Sequence, residues 1–183
     1  MRGLITINII DNKDLDLSDI ERYKEIISKT SFSNKEKEES INCLETIYKI
    51  ADYKKGFVPG DNKNLQDAID FLESNYYNKN CLTKMVDRVL KTMFTPPYYQ
   101  GKKHVPFIPY EFWSSNLGKI ILSCLCVSGD LLVSTSEAAT ILGYSRQNMN
   151  ILAREKKIPS RRSGNFIVFN LFDILSYKYK DLE

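Results

Sequence analysis

The chain has 183 residues, room for one ordinary domain or two small ones, and at this size it needs no disulfides to hold a core. Hydrophobic residues at 43% and charged residues at 27% are globular proportions and exclude a disordered or collagen-like chain. The net charge of +3 is unevenly spread: residues 1–100 carry 15 Lys and Arg against 16 Asp and Glu, residues 101–183 carry 11 against 7.

The opening run that ends at Asp11 is too brief for a signal peptide. The most apolar stretch, Ile120 to Val127, has eight residues, where a membrane span needs about twenty. Cys43, Cys81, Cys124 and Cys126 form no CxxC pair, and His104 is the single histidine. The expectation is a cytoplasmic protein with no metal, no cofactor and no membrane partner. There is no nucleophile elbow, no Gly-rich phosphate loop and no telling pair of carboxylates, so an enzyme is not expected.

Leu4 to Ile10 is β-branched and bounded by Asp11-Asn12-Lys13, which predicts a short strand. Helices follow. Ser18-x-x-Glu21 has the capping-box spacing and leads into Ile20, Tyr23, Ile26 and Ile27. Ser33-x-x-Glu36 is a second box, opening a longer helix with Ile41, Leu44, Ile47, Tyr48 and Ala51 on one face. Phe57-Val-Pro-Gly60 breaks the chain. Asn64 starts a third helix through Leu65, Ala68, Ile69 and Leu72, and a fourth carries Leu82, Met85, Val86, Val89 and Leu90.

Between Thr95 and Pro109, five Pro and Gly residues interrupt the pattern, with Lys102-Lys103 among them. This stretch divides the chain into a helical domain (1–95), a proline-rich linker (96–109) and a second domain (110–183). The second domain starts with a helix over Tyr110 to Val127 that buries Phe112, Trp113, Leu117, Ile120, Ile121, Cys124 and Leu125. Aromatic residues Tyr98, Tyr99, Phe107, Tyr110, Phe112 and Trp113 cluster around the boundary and are expected to pack between the domains.

Leu131 to Gly143 predicts a short helix with a Ser134-x-x-Glu137 box, stopped by Gly143 in a left-handed turn. Ser145 caps a second helix, Arg146 to Glu155. Ala138-Ala139 allow close approach, and Ile141, Leu142, Met149 and Leu152 supply the core. Two short helices about a glycine turn are the helix-turn-helix pattern. Ile158 to Arg162 and Phe166 to Phe169 flank a Ser163-Gly164-Asn165 turn and predict a β-hairpin. Asn170 then caps a last helix with Leu171, Ile174, Leu175 and Tyr177. The expected fold class is mainly α, closed by a winged helix-turn-helix with a small hairpin.

Leu131 to Tyr177 resembles the excisionase and MerR-type winged helix-turn-helix family. The resemblance is carried by Glu137-Ala138-Ala139, Ile141-Leu142-Gly143, Ser145-Arg146-Gln147, Ile158-Pro159 and Arg161-Arg162 before Gly164. It covers about a quarter of the chain and implies double-stranded DNA binding. Lys156 departs from the pattern where a glycine usually ends the second helix, and Asn165 where many relatives carry a basic wing residue.

Six basic residues and one acidic residue lie between Arg146 and Arg162. Arg146, Gln147, Asn148 and Asn150 have the fork or amide chemistry that reads base edges. Ser145, Arg154, Lys156, Lys157, Arg161 and Arg162 are suited to phosphates. The expected protein is a DNA-binding regulator or excisionase-like factor of a mobile element, working as a homodimer. The alternative is a mobile-element anti-defence inhibitor or adaptor, whose slightly acidic amino-terminal domain holds a protein partner while the winged domain regulates its own gene.

Overall fold

The computed structural model describes residues 15–77, 81–97, 105–125 and 131–180. The strand expected at Leu4 to Ile10 lies outside the described residues, as do Tyr98, Tyr99, Lys102, Lys103, His104 and Cys126. The described chain is mainly α-helical with a three-stranded antiparallel sheet. None of its helices is long and apolar enough to cross a membrane. Two compact units form, Met1–Asp52 with Asn78–Cys126 and Tyr53–Tyr77 with Val127–Glu183.

This division differs from the one the proline-rich stretch suggests. Residues 110–126 belong with the first unit and residues 53–77 with the second. The reason is burial. Leu117, Ile120, Ile121 and Cys124 are fully buried, and the Cys124 thiol lies 3.6 Å from the Ile47 carbonyl. Prolines stop a helix, but they do not decide which core the next helix joins.

In the first unit, α1 (Ile20–Ser28) lacks the expected Ser18–Glu21 box. The Ser18 N–H and hydroxyl both donate to Asp16 Oδ1, at 2.9 and 2.7 Å, so the nearer carboxylate takes the capping serine. Glu21 pairs with Lys24 at 2.9 Å instead. The second box does form at the start of α2 (Asn34–Gly56): Ser33 N–H donates to Glu36 at 3.0 Å, and Glu36 N–H to Ser33 Oγ at 3.3 Å. Leu44, Ile47, Tyr48 and Ala51 are buried along α2 as expected.

The α4 helix (Cys81–Phe94) packs on α1 and on α5 (Asn116–Leu125). The single helix expected over Tyr110 to Val127 is in fact a 3₁₀ turn, Tyr110–Ser114, followed by α5. Ser115 makes the break. Its hydroxyl oxygen accepts the Gly118 N–H at 3.2 Å and its O–H donates to the Phe112 carbonyl at 2.5 Å. Phe112 packs edge-on to Phe94 and Trp113, with centroids 5.0 and 5.2 Å away, while Phe107 and Tyr110 are exposed. Leu125, expected in the core, is 38% exposed.

Gly118 lets α5 fold back on this turn. A Cβ there would lie 2.7 Å from Trp113 Cα and closer still to the Phe112 carbonyl oxygen, both backbone atoms. Gly118→Ala is therefore expected to destabilise the first unit by about 1–3 kcal/mol, the usual cost of overpacking. Denaturant unfolding of wild type and variant measures this; equal midpoints would mean the two segments are not in contact.

In the second unit, α3 (Leu65–Leu72) runs into a π-helical turn, Glu73–Tyr77. Then β1 (Leu132–Ser134), α6 (Thr135–Leu142), α7 (Arg146–Arg154), β2 (Ser160–Ser163), β3 (Phe166–Asn170) and α8 (Leu171–Lys178) follow. The sheet order is β1-β3-β2, with Val133 opposite Phe169 and Arg161 opposite Val168. β1 is a correction, because Leu131 onward was expected to be helical. Ser134 keeps extended backbone angles as the α6 N-cap, so the β-prone Leu132-Val133 before it pairs with β3. Val133, Phe169, Leu171, Ile174, Leu175 and Met149 are fully buried.

Candidate nucleic-acid interface

The start of α6 is held by one carboxylate. Glu137 Oε2 accepts the Ser134 N–H at 2.7 Å and the Gly60 N–H at 2.8 Å, while Oε1 accepts the Asn62 amide side chain at 2.7 Å and the Asn62 N–H at 3.2 Å. The first of these completes the expected capping box. The others come from the Phe57–Gly60 break and the residues after it. Pro59 and Gly60 (φ +86°) occupy the corners of a turn closed by Asp61 N–H on the Val58 carbonyl at 3.0 Å, the Pro-Gly arrangement of a type II turn. That geometry leaves the Gly60 N–H free to reach Glu137. The sequence marks this stretch as a stop; only the tertiary structure makes it a dock.

Burial alone would raise the Glu137 pKa, but the hydrogen bonds from Ser134, Gly60 and Asn62 outweigh it and hold the carboxyl below its usual 4.5. A depressed folded pKa adds stability above the unfolded value, and that stability is lost as pH falls through the folded one. Glu137→Gln brings an amide donor against four donors. It is expected to cost about 2 kcal/mol at neutral pH and to flatten the acid limb of a stability–pH curve. Chemical denaturation from pH 7 to pH 3 checks both; an unchanged acid limb would remove Glu137 as its source.

Between the two short helices, Gly143 is left-handed at φ +68°, and the Tyr144 N–H donates to the Ala139 carbonyl at 2.9 Å. Ser145 then caps α7, its hydroxyl oxygen accepting the Asn148 N–H at 3.2 Å. α6 packs on α7, on α8 and on β1 and β3. Ala138, Ala139, Ile141 and Met149 are buried there, whereas Leu142 and Leu152 are only half-buried.

Every residue expected at the interface is exposed: Ser145, Arg146, Gln147, Asn148, Asn150, Arg154, Lys156, Lys157, Arg161 and Arg162. They are not equivalent. With 3.6 residues per turn, Gln147, Asn150, Ile151 and Arg154 form one stripe opposite buried Met149. Arg146 flanks that stripe. Asn148 sits about 160° around the helix from Asn150, away from it. Ile151, which the spacing alone leaves between the core's edge and the outer face, is 40% exposed and belongs to the stripe.

The basic residues also differ in their neighbours. Arg146, Arg154, Lys156, Arg161 and Arg162 lie within ion-pair distance of no acid among the described residues, whereas Lys157 pairs with Glu155 at 2.9 Å. That hydrogen bond holds the Glu155 carboxyl below its usual range and raises Lys157. Burial pushes the Asp173 carboxyl up, and the positive charge of Arg161 offsets part of that rise. The charge of Arg161 on β2 thus acts on an acid on α8, a neighbour its place in sequence does not reveal, as that of Arg154 acts on Glu155. At the hairpin tip Gly164 has φ +60°, the first corner of a two-residue turn, and Phe166 beside it is 75% exposed.

The end of α7 explains the Lys156 departure. Lys156 takes φ +55°, the left-handed position a glycine would fill, and the Lys157 N–H closes the helix on the Leu152 carbonyl at 2.9 Å. The helix ends at Arg154, one residue before the expected Glu155. A side chain in this conformation costs about 1–2 kcal/mol, so Lys156→Gly is expected to raise stability by up to about 1 kcal/mol after its own backbone entropy is counted. Thermal or denaturant melts test it; a loss of stability would mean that the lysine side chain holds the turn.

Among the described residues no group of His, Cys, Asp and Glu is placed to hold a metal ion. Comparison with protein-family models, curated proteins and solved structures gave no match for this chain.

Proposed function

We propose that residues 131–178 form a winged helix-turn-helix that binds double-stranded DNA, with α7 in the major groove and the β2–β3 hairpin as the wing. The observation that carries this is the solvent face of α7. Opposite Met149 it holds Gln147, Asn150 and Arg154 beside Arg146, side chains that bond base edges and phosphates, and it holds no acid. An ordinary solvated helix face mixes both signs of charge. Exposed Arg162 and Lys156 add positive charge with no ion-paired acid among the described residues. The role is regulation or excisionase-like assembly on DNA, without catalysis, and a DNA partner fits a cytoplasmic site of action.

A single recognition helix reads few base pairs, so the protein acts as a homodimer on paired half-sites. The buried face of α5 is used within its own unit and is not available as a dimer surface. Val105, Phe107 and Tyr110 are the most exposed large apolar side chains among the described residues of the first unit and can supply one, or can meet another protein in the adaptor reading.

The test is a binding titration across salt on a selected and a scrambled duplex. Arg146→Ala or Gln147→Ala is expected to cost about 1–3 kcal/mol on the selected duplex and to relax one or two positions. Arg162→Ala is expected to weaken both duplexes alike and to reduce the salt slope by about one; Arg161→Ala less so, because Asp173 already faces it. Two chains per selected duplex is the expected stoichiometry. If neither Arg146→Ala nor Gln147→Ala alters binding, α7 is not a recognition helix.

A further inference from the structure

We infer that Ile151 reads the C5-methyl group of a thymine, so that each half-site contains an A·T pair within about two base pairs of the base contacted by Gln147. The inference rests on the DNA-binding reading and goes beyond it by naming a base. Ile151 is the one large apolar side chain in a polar stripe and it is 40% exposed, although the buried face of the same helix lies on the opposite side at Met149. On a helix whose outer face serves water alone, that position favours a polar residue. In the major groove the thymine methyl is the apolar group that a base pair presents, and an aliphatic side chain is its complement.

The neighbours narrow the choice. Gln147 and Asn150 are amides, which bond adenine N6 and N7 in a bidentate way, and adenine brings thymine on the opposite strand. Ile151 stands one turn beyond Gln147 on the same stripe, about 6 Å along the helix axis, which spans about two base steps. Arg154, another turn on, makes no ion pair among the described residues and anchors this end of the helix to phosphate. The thymine read by Ile151 therefore falls within about two base pairs of the base read by Gln147. Because Ile151 is exposed, its replacement leaves the α6–α7 core intact.

The experiment uses the full chain. Duplexes are selected from a randomised pool, and each thymine of the selected duplex is replaced in turn by deoxyuridine, which removes only the methyl group. At one position per half-site, wild type is expected to weaken about fourfold on losing one methyl. Ile151→Ala, with its fold checked by circular dichroism, is expected to bind the thymine and deoxyuridine duplexes equally. If no position separates the two proteins while the selected duplex is still preferred over a scrambled one, the thymine assignment is overturned and the DNA-binding reading stands. If the pool yields no preferred duplex, both fall.

Discussion

The second unit is organised around the Glu137 carboxylate. Four N–H groups converge on it, one from the strand that precedes α6 and three from the turn at Gly60 and Asn62. It ends β1, starts α6 and fastens a segment more than seventy residues away in sequence. An ionised acceptor suits this place because burial discourages its charge and each donor restores it. With α6 fixed, the direction of α7 follows, since the turn between them has no slack.

That second constraint is conformational. Gly143, Lys156 and Gly164 are all left-handed, and they stand at the end of α6, the end of α7 and the hairpin tip. Each reverses the chain within a residue or two, so the polar stripe of α7 is presented from a rigid frame. At two of these places glycine adopts the angle freely, while Lys156 does so under strain and keeps a cation there. The protein thus trades a little stability for charge at the edge of the proposed interface. In the first unit a similar economy of space appears at Gly118, where the missing side chain lets two backbones touch.

Charge on the second unit is sorted by its neighbours more than by its count. Lys157 is matched by Glu155, and the charges of Arg161 and Arg154 act on Asp173 and Glu155, whereas Arg146 and Arg162 have no acid in contact among the described residues. An unpaired guanidinium at the surface loses little on binding phosphate, because it gives up only water. This division assigns the proposed DNA contacts unequal weights within one basic cluster, with apolar Ile151 exposed on the same helix face.

The sequence by itself determined the local elements of this protein. Capping serines at Ser33, Ser134 and Ser145, the glycines at 143 and 164, and apolar spacing at 3.6 or 2 residues are decided by atoms a few residues apart, so they are legible without the fold. The exposed set on α7 was legible for the same reason, since one buried Met149 orients the whole helix. Tertiary structure decided what depends on distant partners. It sent residues 53–77 to the second unit and α5 to the first, gave the Phe57–Gly60 break its acceptor in Glu137, and set Asp173 near Arg161. The Ser18 box was lost to an equally local competitor, the Asp16 carboxylate two residues away, which took the serine. Spacing along a chain reports which side of an element is apolar, but not which surface will cover it, because that surface comes from residues with no fixed separation in sequence.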